Sequence, residues 1–166
     1  MKTFKNQRGF TLIELLVVIG ILAVLLAITL IAINPARQFS QANDTKRSSD
    51  VNAILNAINQ YMADHQGSLP ASLSACTAVL PCTLTDVAST AEAPTVDICA
   101  SLVSGYLAAL PVDPLTNSGT AVTEAECSNA ETTYNTNYQI YQSATNNRVT
   151  VLAPAAEISD SITVTR

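Results

Sequence analysis

The longest hydrophobic feature of the chain is a solid block, not a stripe. From Phe10 to Ile33, 24 residues pass with a single charge, Glu14. A helix of that length rises about 36 Å, enough to cross a hydrocarbon core of roughly 30 Å. Asn34-Pro35 then interrupts the pattern, because proline lacks a backbone donor and clashes with the preceding turn. A kink or short break is expected at Pro35. Helical periodicity resumes with a different texture. Val51, Ile54, Leu55, Ile58, Tyr61 and Met62 recur at spacings of three and four and form one apolar stripe. Asp50, Asn52, Asn56, Asn59, Gln60 and Asp64 fall on the opposite side. Gly67 and then Pro70 supply the stop. The pattern predicts a long N-terminal helix in two parts, apolar all round over 10–33 and amphipathic over 34–66.

Beyond the helix the text changes again. Ser68 to Pro94 is rich in Ala, Ser, Thr, Leu and Pro and reads as loop with short helical pieces. Val96 to Leu107 is ambiguous between a short helix and a strand. Leu110-Pro111-Val112-Asp113-Pro114-Leu115-Thr116-Asn117 is rich in turn residues. Strand alternation is clearest at Tyr138, Ile140 and Gln142. A turn at Asn146-Asn147 leads to a return strand with Val149, Val151 and Leu152, and Ile162-Thr163-Val164 reads as a last short strand. Helix first and antiparallel strands afterwards is an α+β order, with the helix packed on a small antiparallel sheet in a body over 67–166.

Composition narrows the chemistry. The formal net charge is -5, and residues 1–9 hold Lys2, Lys5 and Arg8 with no acid, so a chain lacking them would carry a net charge of -8. After Arg47 the only basic residues are Arg148 and Arg166, which argues against nucleic-acid binding, since phosphate contacts need Lys and Arg. One histidine, His65, and no recognisable nucleophile–base pair argue against an enzyme. The four cysteines, Cys76, Cys82, Cys99 and Cys127, all follow the apolar block. An even count in a small exported domain favours disulfides over zinc, for which no C-x-x-C pair exists. Three pairings are open. Cys76–Cys82 with Cys99–Cys127 is the first expectation because it closes short local loops.

Charge alone does not orient a membrane span here. Lys2, Lys5 and Arg8 precede it, while Arg37, Lys46 and Arg47 follow within reach. Read without any family, the N-terminal segment is an uncleaved signal anchor, since no small-residue cleavage site follows so long a block.

The junction Lys2, Lys5, Arg8, Gly9, Phe10-Thr11-Leu12-Ile13-Glu14 resembles the leader of type IV prepilins and of type II secretion pseudopilins. The resemblance is close over residues 1 to about 66 and looser beyond. It implies cleavage between Gly9 and Phe10 by a prepilin peptidase, which also methylates the new amino terminus at Phe10. It implies that Glu14, costly in a bilayer at roughly 3 kcal/mol when central, is an assembly residue facing the Phe10 amine of a neighbouring subunit. Pro35, and with it Gly20, would let the helix loosen where subunits slide. The implied protein is a single-pass inner-membrane subunit with its body outside the cytoplasm, drawn into a homo-oligomeric filament by an assembly platform. The expected filament is a type IV pilus-like one, with a major pseudopilin of type II secretion as the alternative. An adhesive or DNA-uptake minor pilin and a membrane-anchored enzyme stand further off. Leu110-Pro111-Val112-Asp113-Pro114 is similar to a segment ahead of the paired strands in major pseudopilins, where a nearby loop binds calcium. Asp113 and Asn117, with the acidic stretch Glu124 to Glu131, are the oxygen ligands this raises. The preferred reading of Asp113 is a turn residue between two prolines. No other cofactor is expected.

Overall fold

The computed structural model describes residues 9–85, 94–129 and 133–166. The basic leader residues Lys2, Lys5 and Arg8, residues 86–93 at the end of the Ser68–Pro94 loop, and Glu131 lie outside the described residues. Two compact units emerge, Met1–Phe39 and Ser40–Arg166.

In the first unit, helix α1 (Leu12–Ile33) exposes every side chain. It stops where Asn34 adopts left-handed backbone (φ 47°), and α2 (Pro35–Asp64) starts at the next residue. The Asn34 carbonyl accepts the Gln38 N–H at 3.4 Å and its side-chain oxygen accepts the Arg37 N–H at 3.5 Å. Asn34 therefore ends one helix and caps the other. Pro35 occupies the first position of α2, where its missing N–H is harmless and its fixed φ suits a helix start. The interruption expected at Pro35 is thus a clean break carried by Asn34.

The second unit is the body. From Ser40 onward α2 buries Arg47, Val51, Ile54, Leu55, Ala57 and Ile58. The Gly67 N–H closes back onto the Met62 carbonyl at 2.7 Å, with Gln66 and Gly67 both at positive φ; glycine accepts that conformation without cost. The buried face meets a five-stranded sheet of order β2-β1-β3-β4-β5, made of β1 (Cys82–Thr85), β2 (Thr95–Val96), β3 (Asn135–Gln142), β4 (Val149–Ala153) and β5 (Ile162–Thr165). Cys82, Ile140, Val151 and Val164 lie in one row across it. Tyr138, Ile140, Val151 and Ala153 share the core with Ile54, Leu55, Ile58 and Leu84.

Two features depart from the expected antiparallel sheet. β1 lies inside the stretch read as loop, and it pairs parallel with β2 while pairing antiparallel with β3. The sheet is therefore mixed. A four-residue strand of Cys, Thr, Leu and Thr has too little period to announce itself, and its place is set by pairing with β3 far along the chain. The β1–β3 register shifts around Asn137, which sits at φ 60°, its N–H bonded to the Asn135 side chain at 2.8 Å. Asparagine tolerates this left-handed conformation better than most residues. The ambiguous stretch near Cys99 divides into β2 and helix α3 (Cys99–Leu102), and α4 (Glu124–Cys127) carries a Thr123–Glu126 capping box.

Disulfides join Cys76 to Cys82 and Cys99 to Cys127, at sequence separations of 6 and 28. The first clamps a turn at the start of β1; the second ties α3 to α4. In the loop-closure account the longer loop contributes more, roughly 3–4 kcal/mol against roughly 2–2.5. Replacing Cys99 and Cys127 together by alanine should therefore lower the thermal midpoint of the full chain in detergent further than replacing Cys76 and Cys82. Equal shifts, or the reverse order, would contradict the loop-closure ranking.

Candidate functional site

The N-terminal helix is the first candidate. Its start is closed by a capping box: the Glu14 carboxylate accepts the Thr11 N–H at 2.8 Å and the Thr11 hydroxyl at 2.7 Å, and the Glu14 N–H donates to the Thr11 hydroxyl at 3.3 Å. The one acidic side chain of the apolar block thus satisfies donors that a helix start leaves open. Downstream, α1 is long and apolar enough to cross a membrane by length and composition. A Cβ at Gly20 would meet open space, so nothing among the described residues demands glycine there. Phe10 is exposed beside the cap, and Gly9 precedes it.

The second candidate lies in the body, on α2. Arg47 heads the apolar stripe, with Val51, Ile54 and Ile58 following at four, three and four. Its side chain and that of Asp113 are both 0% exposed. The Arg47 Nε donates to Asp113 Oδ2 at 2.7 Å and its Nη2 to Oδ1 at 3.1 Å, a two-pronged pairing. Nη1 donates to Asp44 Oδ1 at 2.8 Å and to Glu157 Oε1 at 3.0 Å. The carboxylates are fixed in turn. Asp44 accepts the N–H groups of Glu157 and Ile158, each at 2.9 Å. Glu157 accepts from Ser40 Oγ at 2.8 Å and Asn43 Nδ2 at 2.7 Å. One turn on, Lys46 Nζ lies 3.1 Å from Asp50 and 3.2 Å from the Val112 carbonyl, and the Tyr138 hydroxyl donates to Asp50 at 2.8 Å.

The electrostatics follow from this geometry. Asp113 above all, with Asp44 and Glu157, pushes the Arg47 guanidinium up against its own desolvation. Desolvation pushes the Asp44 carboxyl up, but the N–H groups of Glu157 and Ile158 and the Arg47 charge outweigh it and hold it below the usual range. Asn43 first, then Ser40 and Arg47, hold Glu157 below its usual value. Burial, then the Asp50 carboxylate, pushes the Tyr138 phenol up.

These positions differ from what the sequence pattern leads one to expect. Asp50 was expected on the solvent side of α2, yet it is turned toward Tyr138. Asp113 does sit in a turn, its Oδ1 accepting the Leu115 N–H at 2.9 Å. Both its oxygens are engaged by Arg47, so a divalent cation there would compete with a guanidinium. Asn117 lies in a 3-10 turn (Asn117–Gly119) at φ 47°. Among the described residues no three His, Cys, Asp or Glu side chains converge as a cation cage. The Arg47 cluster itself went unread. Its signal was present: a lone arginine in phase with an apolar stripe, and a lone aspartate inside an apolar turn.

A capped helix, apolar all round, ahead of an α+β body locked onto its amphipathic continuation defines a membrane-anchored subunit of the prepilin class, with a structural pilin or pseudopilin role. Residues 4–30 match the family described as prokaryotic N-terminal methylation motif. Over 128 residues the chain is 33% identical to the type II secretion system core protein G of Escherichia coli (strain K12), an alignment covering 76% of this chain and 79% of that protein. The chain belongs to the family of that core protein G, a pseudopilin family. No solved structure matches it.

Two outcomes test the Arg47 cluster. Arg47→Ala strands a buried carboxylate and should cost about 3–5 kcal/mol, whereas Arg47→Met with Asp113→Asn, which removes both charges, should cost less than the single change. Denaturant unfolding of the full chain in detergent measures both, and a milder single mutant would overturn the buried-pair account. The acid response has a definite sign. Asp44 and Glu157 have lowered folded values, so their contribution is complete above their unfolded values near about 4 and is lost as pH falls through the folded ones. The thermal midpoint should fall on acidification below about pH 4, and Asp44→Asn with Glu157→Gln should flatten that fall.

Proposed function

We propose that the chain is the main repeating subunit of a type II secretion pseudopilus. What carries the reading is that the alignment to core protein G spans 128 residues, far more than the N-terminal motif matched at residues 4–30, so it reaches well into the body. A second reading, a pilus subunit that leaves the cell, is equally compatible with the body's two disulfides, since the periplasm and the exterior are both oxidising. Deleting the gene separates the two. Loss of protein secretion with surface pili intact fits a pseudopilus; loss of surface pili with normal secretion fits a pilus.

In this reading a prepilin peptidase cuts between Gly9 and Phe10 and the new amine of Phe10 is methylated. The amino terminus faces the cytoplasm and the body stands outside it. Subunits wait in the membrane and are drawn by an assembly platform into a filament whose centre is a bundle of apolar helices. None of these steps is catalysis by this chain. Intact mass of the protein from cells with the peptidase should show loss of residues 1–9 and one added methyl group, and a mature chain still starting at Met1 would leave only a signal anchor.

Glu14 has two roles to separate, closing the start of α1 and pairing with the Phe10 amine of a neighbour. Glutamine keeps the capping box but not the charge; valine keeps neither. The membrane pool should be normal for both Glu14→Gln and Glu14→Val, since a costly carboxylate is gone, and both should give few sheared filaments. Normal filaments from Glu14→Gln with few from Glu14→Val would assign the residue to capping alone.

A further inference from the structure

The body is strongly acidic, yet its charge is not evenly spread. Arg148 and Arg166 are its only cations after Arg47, both are exposed, and among the described residues neither makes an ion pair. The Arg166 guanidinium is tethered to the Asn56 side chain. Among the described residues the Arg148 guanidinium has only the Thr165 carbonyl, at 3.5 Å, and is the less tethered of the two.

Position along the body gives this meaning. α2 and β3 run in the same direction. Tyr138 meets Asp50 near the Arg47 cluster, while Gln142 and Asn147 line a shallow cleft with Met62, Gly67 and Pro70 at the other end. Arg148 closes the β3–β4 turn at that far end. Beside it stands the turn clamped by Cys76–Cys82, whose Thr77 bridges to Gln142. Its tip, Val79, is 93% exposed and Leu80 also faces water. A disulfide-held apolar tip loses little freedom when it is covered. The opposite end of the body carries the complement. A groove lined by Gln41, Asp44, Ser48, Ser49, Ile158 and Ser159 opens beside the Arg47 cluster. Ile158 is exposed there, and the next acid, Asp160, is exposed and makes no ion pair among the described residues.

We infer that Arg148 and the Val79 tip dock on the Ile158–Asp160 rim of this groove in a second copy of the chain. The two ends match in kind: a cation beside an apolar tip faces a carboxylate beside an exposed isoleucine. The surfaces are different patches of one body, so the contact is head to tail, and such contacts that do not close into a ring propagate as a filament. The proposal rests on the filament reading and adds the body-to-body contact that accompanies the helix bundle.

The test uses the full chain expressed with its native assembly machinery, scoring membrane-bound subunit and sheared filament separately. Arg148→Glu and Asp160→Arg should each leave the membrane pool and both disulfides intact. Each should lower filament yield about tenfold, because each sets like charges opposite one another. The double variant, with the charges exchanged, should restore most of the yield. Filaments at wild-type yield from either single variant would overturn the contact, as would two impaired singles with no rescue in the double. A wild-type chain that makes no filament at all would instead sink the filament reading, and is recognised by failing before any substitution is made.

Discussion

A guanidinium with no access to water has to be matched by carboxylates, and in this body the partners lie 66 and 110 residues away, at Asp113 and Glu157. That requirement organises the fold. The Leu110–Asn117 turn is drawn onto α2 through Asp113. The segment ahead of β5 is drawn onto it through Glu157, whose own N–H returns to Asp44. Tyr138 and Lys46 extend the attachment through Asp50, one turn along. Desolvating such a cluster is expensive, and hydrophobic residues of similar volume are often at least as stabilising. What the ion pair adds is direction: a guanidinium fork accepts a planar carboxylate in few orientations, so α2 is fixed in rotation and in height against the sheet. The apolar stripe from Val51 to Ile58 supplies burial but tolerates sliding far better.

This division suits a subunit whose long helix has two environments. In α1 every side chain from Leu12 to Ile33 is exposed, which is sensible for a segment surrounded by lipid or by other helices. α2 becomes body at about Ser40, and the Arg47 cluster sits at that boundary. Between them, Asn34 lets each helix end and begin with its own cap, so neither part has to share the other's hydrogen-bond ladder. The alignment to core protein G runs over 128 residues and so is not confined to the N-terminal motif at 4–30.

The disulfides act elsewhere in the body. Cys99–Cys127 ties two helices of only four residues, α3 and α4, each too short to persist alone. Cys76–Cys82 holds a turn whose apolar tip would otherwise collapse or wander. Both compensate for the scarcity of large core residues in a chain with no tryptophan and three phenylalanines, all of which lie in the first 39 residues.

The long apolar helix was legible in the sequence because its signal is local. A block of 24 residues with one charge needs no tertiary partner to declare itself, and neither does a period of three and four ending at Gly67. The last three strands also announced themselves, since alternation and turn residues act between neighbours in the chain. Tertiary structure alone decided the rest. β1 was hidden because four residues carry too little pattern, and its mixed pairing is a property of β3 and β2, not of its own side chains. Asp50 read as a surface acid and Asp113 as a turn acid or a calcium ligand, because sequence states which charges exist but not which face each other. Only when the sheet brings Asp113 and the Glu157 segment against α2 does a lone arginine on an apolar stripe acquire its partners. Burial then turns Arg47 and Asp113, two ordinary surface-type charges, into the lock that holds the body together.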